Sequence, residues 1–264
     1  MSLELEGHTS RAFDGAISAL HMRVVEMGAL VLLQVREAAN AYSDWDESLA
    51  ARVLQREHDV DAYNLDVDAA STRLIALRQP MASDLRAIVS MSKAVAELER
   101  AGDEARKIAQ AVVGFRGASG ERPGTATCRD LRHLGKLAVG MMRCALEAFD
   151  RLDGTLAIQV IARDHELDAE YSAGLRRLMS RAMEDPRQFS SALQTAFVAK
   201  SLERIGDHAR NLARRARSMS ESSAANASGL SGAAGAPAAS DPSNTANAPR
   251  SSVATLSPPG AAAR

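Results

Sequence analysis

Glu99 and Asp103 stand four residues apart in LERAGDEAR at 98–106, and Glu203 and Asp207 repeat the spacing in LERIGDHAR at 202–210. Glu57 and Asp61 in EHDVD, and Asp164 and Asp168 in DHELD, have it as well. Residues i and i+4 project from one side of a helix, so each pair sets two carboxylates side by side. Carboxylate oxygens crowded together repel unless a cation joins them, and hard ions such as Mg, Ca, Mn or Fe suit such donors. An isolated pair is ordinarily a solvated helix face, costing about 0.2–0.5 kcal/mol. Arg56, Arg100, Arg163 and Arg204 are placed in the sequence to neutralise these acids by salt bridges.

The placement of the pairs favours the cation. The pairs 57/61 and 99/103 are equidistant from Pro80, and the pairs 164/168 and 203/207 are equidistant from the Asp185–Pro186 step. Helices folded back at those points carry both pairs of each half to one level, as four carboxylates. His58, His165 and His208 adjoin the acids in sequence without being fixed to point inward. Gly102 and Gly206 lie inside the same helices, where glycine costs about 1 kcal/mol relative to alanine, and are expected to serve close helix packing.

The elements that must hold these acids repeat. Shifted by 107 positions, residues 27–62 overlay 134–169 without a gap, matching Gly28 with Gly135, Asp46 with Asp153 and Asp61 with Asp168. Each half reads as three long amphipathic helices, with apolar residues such as Ile88, Met91, Val95, Leu98 and Ala101 at three- and four-residue steps. Helices are expected over about 10–42, 47–77, 83–114, 126–150, 153–183 and 187–218, with Asp46 or Ser48 capping the second. The expected fold is all-α: a three-helix bundle over 8–115, a linker at 116–125, a similar bundle over 126–218, and a disordered tail at 219–264 rich in Ala, Ser, Gly and Pro.

Composition narrows the function. The charges nearly cancel, at net −1, and only 3% of residues are aromatic, which argues against nucleic acid and an anionic membrane surface as partners. Cys128 and Cys144 read as free thiols. The start MSLELEGHTSR lacks a basic-then-apolar leader pattern, and the apolar run at 28–35 is too short to span a bilayer, so a cytoplasmic protein is expected. No enzyme is expected. A di-iron oxidase built on helices wants Glu-x-x-His pairs, which these helices lack, and no P-loop or Ser-His-Asp context is present.

The two LERxGDxAR segments, the RQPMASDLR turn at 78–86, the acid pairs and the duplicated three-helix unit together resemble the PhoU family of bacterial phosphate-system regulators, over about 8–218. The resemblance implies a negative regulator of phosphate uptake and of the phosphate-starvation response. Such a protein would stand between the ATPase subunit of the Pst phosphate transporter and a PhoR-type histidine kinase, as a dimer or higher oligomer, with a homodimer expected here. It also implies metal ligation by Glu57, Asp61, Glu99, Asp103, Asp164, Asp168, Glu203 and Asp207, with Mg, Mn, Fe or Zn as the ion. Asp164 departs from the Glu of the first copy, and its shorter arm alters the geometry available there. The alternative is a carboxylate-site metal store with no signalling role.

Overall fold

In the computed structural model residues 3–78, 80, 82–114 and 122–233 are described, and among them the chain is helical apart from short turns. The helices are α1 (Leu3–Asp44), α2 (Glu47–Arg78), α3 (Ala82–Gly114), α4 (Thr125–Asp150), α5 (Gly154–Glu184) and α6 (Phe189–Ala233). The all-α expectation and its six helices hold.

The turns between the first two helices of each half are built alike. Asp46 accepts hydrogen bonds from the Ser48 and Leu49 amides, at 2.9 and 3.0 Å, and Asp153 accepts from Thr155 and Leu156 at the same distances. Each supplies acceptors to amides that the helix cannot satisfy itself. The preceding residue, Trp45 in one turn and Leu152 in the other, takes a left-handed backbone, with φ of 58° and 51°. Asp185 then caps a short 3-10 turn, Pro186–Gln188, which leads into α6.

Two boundaries differ from the sequence reading. Helix α1 starts earlier, at Leu3. Helix α6 continues to Ala233, past the composition change at 219, and no proline interrupts the chain before Pro237. Arg217 to Glu221 and Ser218 to Ser222 contacts knit this extension. The rest of the expected tail, 234–264, lies outside the described residues.

The bundles lie side by side and share one core. A single cluster of buried apolar residues runs through both, from Leu20 and Val24 on α1 to Leu212 and Ala216 on α6. Gly28 on α1 faces Leu146 on α4, and Ala39 faces Gly135, so these two helices run antiparallel. Helices α3 and α6 form the second layer of the same seam, also antiparallel to each other. Glu97 meets His208, Glu104 meets Ser201, and the Ala111 carbonyl accepts from Gln194 at 3.0 Å. By length and composition Phe13–Asp44 on α1 could cross a membrane, which the short-run argument from the sequence missed. Val24, Met27, Val31, Val35 and Ala38 along it face the core with no exposed surface, while Met22 is 53% exposed.

The glycines of the acidic helices serve close packing. A Cβ at Gly206 would come within 1.9 Å of Leu167 Cδ2, whereas one at Gly102 would meet nothing nearer than Gln34 Oε1 at 3.3 Å. Leu167 is itself buried. Overpacking there costs about 1–3 kcal/mol, against a helix-propensity gain of about 1 kcal/mol. Gly206→Ala should therefore lower stability in urea denaturation, and Gly102→Ala should lie near wild type. Equal effects at the two positions would contradict this packing difference.

Candidate functional site

Both acidic pairs of each half come to the same level, as the symmetry about the hairpin turns requires. Helix α2 brings Glu57 to α3, where Arg106 Nε lies 2.8 Å from Glu57 Oε1 and Arg106 Nη2 lies 3.0 Å from Asp103 Oδ1. The second half repeats the arrangement. Arg210 on α6 pairs with Asp164 on α5 and, at 2.7 Å, with Asp207 on its own helix. In both halves a guanidinium bridges the first acid of one motif to the second acid of the other.

The arginines that do this are not those adjacent to the acids in sequence. Arg56 pairs with Glu37 at 2.5 Å, Arg100 with Glu97 at 3.9 Å, and Arg204 with Glu104 at 3.1 Å. Arg163 reaches the Cys144 sulfur. The expectation that these four neutralise the motifs is corrected: Arg106 and Arg210, the last residues of LERAGDEAR and LERIGDHAR, take that role. Their i+3 spacing from Asp103 and Asp207 was the available signal.

The remaining acids stand at the rim. Asp61 is exposed and Glu99 and Asp168 are half-buried. Glu203 Oε2 lies 2.7 Å from Lys200, whose ammonium sits over the Tyr171 ring at 5.5 Å. His58 and His165 point to solvent, while His208 is buried against α3. Among the described residues no three His, Cys, Asp or Glu side chains converge as a ready-made ligand set. The donor chemistry suits a hard cation, but the point where the carboxylates of adjacent helices meet is held by arginine.

Two of the bridged groups, Glu57 and Arg210, are displaced from their ordinary ranges. Burial lifts the Glu57 carboxyl above its usual 4.5, and Asp61 and Asp103 add to the rise against the opposing pull of Arg106. A folded value above the unfolded one means that protonation of Glu57 stabilises the fold. That contribution is complete below 4.5 and is lost as pH rises through the folded value. Glu57→Gln keeps the neutral form throughout. Its stability relative to wild type should thus rise from about pH 4 to about pH 7, and a pH-independent difference in urea melts would contradict it. At Arg210 burial opposes the charge, yet Asp164, Asp207 and Asp168 outweigh it and hold the guanidinium above its ordinary range.

Along the seam the copies have diverged in a complementary way. A shift of 104 carries Glu97 to Ser201 and Glu104 to His208, so the contacts Glu97–His208 and Ser201–Glu104 are images of each other. His208 Nδ1 lies 2.9 Å from Glu97 Oε2, and Asn211 donates to the same oxygen at 3.2 Å. Glu104, only 2% exposed, accepts from Ser201 at 2.8 Å and from Lys107 at 2.9 Å.

A duplicated six-helix body with a carboxylate–arginine bridge in each half defines a class of all-α proteins built from two similar three-helix units. The PhoU domain model matches residues 24–112 and 131–216, and the chain belongs to the PhoU family. It is 41% identical over 209 residues to the phosphate-specific transport system accessory protein PhoU homolog of Pseudomonas aeruginosa, covering 79% of this chain and 85% of that protein. With the Escherichia coli accessory protein PhoU it shares 36% identity over 211 residues, 80% of this chain and 86% of the other. The crystal structure of PhoU from P. aeruginosa superposes with a TM-score of 0.74 at 39% identity, over 78% of this chain and 98% of that one. The phosphate transport system regulatory protein PhoU from Streptococcus pneumoniae does so with a TM-score of 0.69 at 26% identity, over 78% and 96% of the two chains.

Proposed function

We propose that this chain restrains phosphate uptake and the phosphate-starvation response when phosphate is plentiful, as a non-enzymatic cytoplasmic adaptor. Its partners on this reading are the ATPase subunit of the phosphate ABC transporter and a PhoR-type sensor histidine kinase, and it works as a homodimer. The observation that carries the reading is the match of both halves to the PhoU domain, together with relatives named as accessory proteins of phosphate-specific transport. The continuous core supports it physically, because six helices packed as one body present fixed surfaces to two partners.

The acidic motifs enter the same reading as cation sites. Glu57, Asp61, Glu99 and Asp103 would hold the ion in the first half, and Asp164, Asp168, Glu203 and Asp207 in the second. A bound divalent or iron cation (Mg, Mn, Fe or Zn) would supply charge neutralisation between adjacent helices.

Deleting the gene should raise starvation-gene expression in phosphate-rich medium, measured with a reporter fusion. Expression that stays at the wild-type level would sink the regulatory reading. Co-purification of the transporter ATPase and the kinase with the tagged chain tests the adaptor role separately.

A further inference from the structure

The hairpin of α5 and α6 carries apolar surface that the fold leaves uncovered. Near its turn, Leu178 and Ala182 on α5 pack against Ala192 on α6 in a small cluster apart from the main core. One residue on from these contacts stand Met179, Met183 and Leu193, with Phe189 and Phe197 one helical turn to either side of Leu193. In an antiparallel pair, the positions that follow the contact rows lie on the same side of both helices, so the five share a face. Met183 is 84% exposed, Phe197 66% and Phe189 61%, which leaves two of the chain's five phenylalanines in water.

The duplication supplies the comparison. The shifts of 107 and 104 carry Met179 and Met183 back to Thr72 and Ala76, and Phe189, Leu193 and Phe197 back to Leu85, Val89 and Lys93. These five are exposed as well. The first half thus folds the same hairpin with a smaller, more polar face, and helix packing does not demand the bulk found in the second. At roughly 150–250 Å² for a large side chain, the exposed fractions amount to about 600 Å² of apolar surface, a size that marks a contact site. Paired with itself, such a patch buries about 1,200 Å², where specific interfaces begin.

The rim names the occupant. Glu184 and Arg187 flank the turn, and Arg176 stands beyond Met179, all exposed. A rim of both signs suits a second copy, since Glu184 of one chain can meet Arg187 of the other across a two-fold axis. An anionic bilayer would call for basic side chains alone. The matching face of the first half ends in Lys93 and offers no apolar seat for head-to-tail growth, so the assembly closes as a pair.

We infer that Met179, Met183, Phe189, Leu193 and Phe197 form the interface of a two-fold dimer of this chain. The inference rests on the homodimer reading given above and assigns the surface that makes it. Because α3 and α6 run antiparallel, the α2/α3 hairpin lies at the far end and stays free for other partners.

The test is sedimentation velocity of the full-length chain over a dilution series, with helicity checked by circular dichroism. Wild type should sediment as twice 28.0 kDa. The double variant Met183→Ala/Phe197→Lys installs the residues that the first half carries at those positions, and should weaken the dimer about 30-fold or more. Val89→Lys, on the other hairpin, should leave it unchanged. A dimer that survives the double variant, or that Val89→Lys weakens equally, would overturn this face while the homodimer stands. A wild-type chain that is monomeric throughout the series would remove both. If that monomer sediments with phosphatidylglycerol vesicles and the double variant does not, the face belongs to lipid and the dimer inference falls.

Discussion

Replacing Arg210 with glutamine is expected to destabilise the protein by about 3–5 kcal/mol, the usual cost of stripping one partner from a buried ion pair. Asp164 is only 4% exposed, and Arg210 is the cation the structure sets against it. Glutamine can donate a hydrogen bond but cannot balance the charge. The equivalent Arg106→Gln should cost about 1 kcal/mol or less, since the Asp103 side chain is 44% exposed and water takes up much of the charge. Urea denaturation of both variants measures the contrast. Adding Asp164→Asn to Arg210→Gln removes the stranded carboxylate and should restore most of the loss. A double variant no more stable than Arg210→Gln would show that the pair is not the source of the effect.

Substituting His208 with glutamate should be comparably damaging, although it only makes LERIGDHAR read as its other copy does at that position. The new carboxylate would be buried against Glu97, which is 7% exposed, with Arg100 no closer to Glu97 than 3.9 Å. Two buried carboxylates facing one another without a cation between them cost about 3–5 kcal/mol. His208→Gln keeps a donor for Glu97 and should cost about 1 kcal/mol. Thermal and urea melts separate the two, and similar losses for both variants would place the cost in packing rather than charge.

Much of the fold was legible because its signals are local. The i, i+4 acids, the Pro80 turn and the Asp46 cap all act within a few residues, and together they put the pairs of each half level. The arginines were misassigned for a geometric reason. Arg100 and Arg204 follow their acids directly and so lie about 100° round the helix, whereas Arg106 and Arg210 come three residues after theirs and share a face. The seam left no local trace: Glu97 and His208 are 111 positions apart, and nothing in either helix's period specifies the other. Nor did a shift to Ser- and Ala-rich composition after 219 end α6, since no proline breaks the helix there.

The pairing of α3 with α6 also sets when the molecule can be completed at the ribosome. Glu104 waits for Ser201, 97 positions ahead, and Glu97 for His208, 111 positions ahead. At about 5–20 residues per second, that is roughly 5–20 s of synthesis with one flank of the nascent first bundle bare, its carboxylates hydrated and its apolar rows open. For that interval the first half is the more aggregation-prone part of the chain, and emergence of α6 brings the wait to an end.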